Sequence, residues 1–64
     1  MKVGEIIKLL ESHGWYLLRT KGSHRQFTHK EKTALVTVAG KPSMDLNQKT
    51  LQSILKQAGL KRGR

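Results

Sequence analysis

The chain has no cysteine among its 64 residues, so neither disulfides nor thiolate metal sites can hold it together. Acidic residues are almost as scarce. Glu5, Glu11, Glu31 and Asp45 are the only four, and they stand against thirteen lysines and arginines. Spread along the chain as they are, they offer no clustered carboxylates for a two-metal nuclease. No apolar run approaches the roughly 20 residues that a membrane span needs. The segment Met1-Lys2-Val3-Gly4-Glu5 meets an acid too early for a signal peptide. A cytoplasmic protein without a membrane partner is expected, and the lack of cysteine suits that compartment.

Charge is the strongest feature that is present. The formal net charge is +9, an excess that favours a phosphate backbone or an acidic protein as partner. A chain of this length buries only about 60% of its unfolded surface. That bounds it to one domain, residues 1–64, with residues 60–64 as a frayed basic tail. No room remains for a separate substrate domain or a large cofactor pocket, and no cofactor is expected.

Hydrophobic periodicity orders the chain. Val3, Ile6, Ile7 and Leu10 fall on one helical face, and His13-Gly14 is a stop signal, which predicts a helix over 3–13. Glu5 can approach Lys8 on the opposite side. Trp15–Thr20, His24–His29 and Ala34–Ala39 read as strands, the second anchored by Phe27 and the last two separated by a charged turn over 30–33. Asn47 is the favoured cap of a second helix, with Asp45 the competitor and Leu46 stapled to Leu51. Leu51, Ile54, Leu55 and Ala58 form its apolar stripe, and Gly59 ends it.

The order is α-β-β-β-α, an α+β fold with two helices on one face of a three-stranded antiparallel sheet. The expected core is Ile6, Ile7, Leu10, Phe27, Val36, Val38, Leu51, Ile54 and Leu55, with residues of the first strand added. This topology resembles the double-stranded RNA-binding domain, which by itself establishes no function.

Familiar catalytic constellations are missing. Gly40-Lys41 lacks the first glycine of a phosphate-binding loop and is followed by Pro42, and no His-Glu-x-x-His arrangement joins the histidines. His13 reads as a cation at a helix end, and His29, beside Lys30, as a solvated strand end. His24 follows Gly22-Ser23, where a tight turn braced by Ser23 would present its ring. Arg19, Lys21 and Arg25 flank that turn, and Lys41 lies in a later loop. These cations would hold phosphates while an imidazole, which exchanges protons near neutral pH, works on the ribose. Trp15 and Tyr16 offer a base-stacking alternative.

Three segments together are similar to the HicA family of bacterial toxin–antitoxin pairs. They are Leu9-Leu10-Glu11 with His13-Gly14-Trp15, Gly22-Ser23-His24 with Phe27, and Thr50-Leu51 leading to Ile54–Leu60. The resemblance covers about residues 4–60. It departs at Ala39-Gly40-Lys41-Pro42, where many members carry proline and histidine, and at Lys49, where many carry glycine. It implies an endoribonuclease that cleaves mRNA and is neutralised by a HicB-type antitoxin, with His24 as the catalytic residue. The reading of the residues adds that the reaction is metal-independent and that Lys21, Gly22, Ser23, Arg25, Arg19 and Lys41 bind RNA. The competing readings are a non-catalytic RNA-binding module and an interaction protein for an acidic partner.

Overall fold

The computed structural model describes residues 1–60; the basic tail Lys61–Arg64, read above as frayed, lies outside the described residues. Helix α1 spans Val3–Ser12, followed by strands β1 (Trp15–Lys21), β2 (His24–His29) and β3 (Lys32–Ala39) and helix α2 (Gln48–Gln57). The strands form an antiparallel sheet in the order β1-β2-β3. The α-β-β-β-α order is as the periodicity predicts.

Local chemistry explains the helix ends. Lys2 precedes α1, and its backbone N–H donates to Glu5 Oε1 at 2.8 Å, satisfying a group the helix would leave orphaned. Glu5 therefore turns back toward the start of the helix, where a carboxylate favours the dipole, and makes no pair with Lys8. At the far end His13 Nδ1 lies 3.0 Å from Leu9 O, and Gly14 takes φ +92° to reverse the chain into β1. Asn47 prevails over Asp45 as the cap of α2, its Oδ1 accepting Thr50 N–H at 2.8 Å. Asp45 instead bridges to Lys2, with Nζ–Oδ1 at 3.7 Å.

The core lies between the helices and one sheet face. It comprises Val3, Ile6 and Leu10 from α1, Trp15, Phe27, Val36 and Val38 from the sheet, and Leu51, Ile54, Leu55 and Ala58 from α2 and its cap. Two expectations need correction. Ile7 is only partly buried, because it stands at the edge of the α1 stripe. From β1 only Trp15 enters the core, while Leu17 and Leu18 are 48% and 50% exposed. The pairing of β1 with β2 shifts between Leu17 and Arg19, leaving Leu18 as an extra residue turned out of the alternation. β1 is an edge strand of the sheet, met by α1 alone while α2 packs on β3 at the opposite edge, so Leu17 stays uncovered.

The hairpin turns are tighter than the sequence suggests. The β2–β3 turn is Lys30-Glu31 alone, and β3 begins at Lys32, before the expected Ala34. β1 runs one residue further, to Lys21, which pairs with His24. No helix among the described residues is long and apolar enough to cross a membrane.

Candidate functional site

The site is built around the β1–β2 turn. Two residues, Gly22 and Ser23, join paired Lys21 and His24, and so short a connection requires positive φ at its first position. Gly22 supplies φ +60°. Nothing lies within 4 Å of where a Cβ would sit there, so the constraint is conformational and the space beside the turn is open. Ser23 braces the turn through its carbonyl, which accepts Gly40 N–H at 3.0 Å.

Strand alternation decides which side chains share a face. Phe27 pairs with Val36 and Arg25 with Val38, residues whose valine partners are fully buried, so Phe27 and Arg25 belong to the helix side. His24 and Gln26, between them, belong to the open side, together with Thr37 and Ala39 opposite. Across β1, Arg19 pairs with Gln26 and Lys21 with His24. Arg19 Nε donates to Gln26 Oε1 at 2.6 Å, which fixes its guanidinium stem on this open face. Tyr16, Leu18 and Leu35 are also on it, each about half exposed.

The three histidines separate by their partners. His13 caps α1, in keeping with its reading as a helix-end residue. His29 is not the solvated residue that its place beside Lys30 suggests. It is partly buried, and its Nδ1 accepts Glu31 N–H at 3.0 Å. The proton then sits on Nε2, which donates to His13 O at 2.9 Å. Its ring meets Trp15 edge-on with centroids 5.3 Å apart. Both ring nitrogens serve the fold. His24 is exposed at the head of β2, and its ring makes no hydrogen bond among the described residues.

The cations are distributed unequally. Lys21 is exposed beside His24, and Lys41 is exposed just after β3, whose last residue, Ala39, pairs with His24. Arg25 is half-buried, and its Nη1 donates to Gly40 O at 3.0 Å. Lys2 escaped the sequence reading and joins this end of the molecule through its Nζ, 3.3 Å from Ser43 O. Only the fold brings residue 2 next to residue 43, and no local pattern signals it. No group of three His, Cys, Asp or Glu comes together among the described residues.

A small α+β domain with helices on one sheet face and an exposed imidazole among cations on the other belongs to the double-stranded RNA-binding-domain-like class. The family model described as "HicA toxin of bacterial toxin-antitoxin" matches residues 3–60, and the chain belongs to this HicA toxin family. Its structure is similar to a chain of the solved "HicA3 and HicB3 toxin-antitoxin complex", with 28% identity and a TM-score of 0.75 over 98% of this chain and 100% of that one. No curated protein matches its sequence.

Proposed function

We propose that this HicA-family toxin is a metal-independent endoribonuclease that cleaves mRNA, with His24 as the proton-transfer residue. The observation that carries this reading is the division among the histidines. Two are engaged in capping and turn hydrogen bonds, and one stands exposed and unengaged at a cation-flanked turn. RNA brings its own nucleophile. As the 2′-oxygen bonds to phosphorus and the bond from phosphorus to the 5′-oxygen breaks, one proton must leave the 2′-hydroxyl and one must reach the departing oxygen. His24 handles one of these transfers. Lys21, Arg19 and Lys41 hold the phosphates and offset the charge that develops on them, while Gly22 and Ser23 shape the turn that leaves room for RNA beside the imidazole.

The HicA3 chain was solved with a HicB3 antitoxin, and neutralisation by a HicB-type antitoxin is part of the same reading. The open sheet face suits such a partner, because it carries His24 together with exposed Tyr16, Leu18 and Leu35. Occupation of that face by a protein with acidic groups opposing the +9 charge would occlude the imidazole directly.

The test is cleavage of a single-stranded RNA in the presence of a chelator. His24→Ala is expected to lower the rate by about 10²–10⁴-fold while leaving RNA affinity near native. Equal cleavage by the two proteins removes His24 from the mechanism. RNA binding without cleavage by either protein favours the non-catalytic binding module.

A further inference from the structure

Arg25 adjoins His24 in sequence but stands on the other side of the sheet, and its environment is unlike that of the surface cations. It is half-buried beside Val38, with Nη1 donating to Gly40 O at 3.0 Å. The same Gly40 donates its N–H to Ser23 O at 3.0 Å. One peptide group on each side of Gly40 is thus tied to the segment 23–25 that contains His24, and Lys41 is the next residue. Beyond it the loop is sewn to α1: Met44 N–H donates to Lys41 O at 2.9 Å, Gly4 N–H to Pro42 O at 3.0 Å, and Val3 N–H to Met44 O at 2.8 Å.

The loop over 40–44 is therefore held at its far end by α1 and at its near end by the sheet. On the sheet side the Arg25 guanidinium is the side-chain tie among the described residues. We propose that Arg25 is a positioning residue, which sets Lys41 against the His24 turn and makes no phosphate contact of its own. This rests on His24 being the catalyst. A guanidinium already bonded to a carbonyl on the helix side is poorly placed to meet RNA on the open face. Its planar donor set suits a fixed carbonyl better than a lysine ammonium does. Loss of the tie leaves the backbone bond from Gly40 to Ser23 in place, so the fold persists while the Lys41 peptide gains freedom. Small misplacements of a charge-stabilising group lower the rate far more than they lower affinity.

The experiment compares native protein with Arg25→Met, which keeps the apolar stem against Val38, and Arg25→Lys, which keeps the charge. For both variants kcat for RNA cleavage should fall about tenfold to hundredfold with KM little changed. The dependence of RNA affinity on salt should stay native. Amide exchange at Lys41, whose peptide group carries the Gly40 carbonyl, should quicken by about tenfold while the amides of Gly40 and β2 stay protected. The proposal is overturned by a raised KM with unchanged kcat and a salt slope shallower by about 0.7, the mark of one lost phosphate contact on a single strand. Native kcat in Arg25→Lys overturns it as well. If native protein cleaves and Arg25→Met cleaves equally, the positioning role alone fails. If native protein is inert toward RNA, the His24 reading fails and this role falls with it.

Discussion

Gly14→Ala tests whether His29 is as firmly held as its contacts indicate. Gly14 has φ +92°, and an added Cβ would lie 2.6 Å from His29 Nε2 and 3.3 Å from both Cδ2 and Cε1. A side-chain tip can ordinarily move aside at little cost. This one is held by Glu31 N–H, by His13 O and by the edge of Trp15. The backbone strain costs roughly 1–2 kcal/mol, and breaking the bond to His13 O adds about 0.5–1.5 kcal/mol. Some loss of the Trp15 contact brings the total to about 2–4 kcal/mol. In a domain of this size that lowers Tm by about 10–25 °C. Gly22→Ala is the control. Its φ is +60° with nothing within 4 Å, so only the backbone share, roughly 1–2 kcal/mol, should appear. Urea unfolding followed by Trp15 fluorescence measures both variants. The decisive arm repeats Gly14→Ala in a His29→Ala background, where the clash is gone and the cost should drop to the backbone share. A coupling energy near zero, or equal losses at Gly14 and Gly22, would refute the picture of His29 as a clamped structural ring.

Asn47→Ala removes the acceptor for Thr50 N–H and should cost about 1 kcal/mol of stability in the same urea assay. Asp45→Ala should cost less, since its pair with Lys2 is solvent-exposed. A larger loss at Asp45 would transfer the capping role to it. Tyr16→Ser combined with Leu35→Thr should weaken binding of the coexpressed HicB-type antitoxin by at least about tenfold, the effect of 1.4 kcal/mol. Thermal stability should stay near native, because both side chains are about half exposed. Unchanged antitoxin affinity would place the partner elsewhere than on the open face.

The features legible in the sequence are those written within a few residues. The α1 stripe, the Gly14 stop, the Asn47 cap and the presence of a turn at Gly22-Ser23, though not its two-residue length, each depend on neighbours no more than about one helical turn away. Composition carried the polyanion expectation, and the Gly22-Ser23-His24 segment led to the histidine on which the proposed chemistry rests. His29 and Arg25 were harder to read because their partners are remote: His13 lies 16 residues away and Gly40 lies 15 away. The apolar look of Leu17 and Leu18 likewise promised burial, yet a bulge and an edge strand that α2 does not reach leave both exposed.

Local sequence by itself therefore determined the elements, their order and the presence of a presented imidazole among cations. Tertiary structure alone decided that His29 is engaged, which cations share the face of His24 and which arginine turns inward. The physical reason is that turns and caps are satisfied by nearby backbone groups. Side-chain partners across a sheet depend on register, and register is set only when distant segments pair and bury one face together.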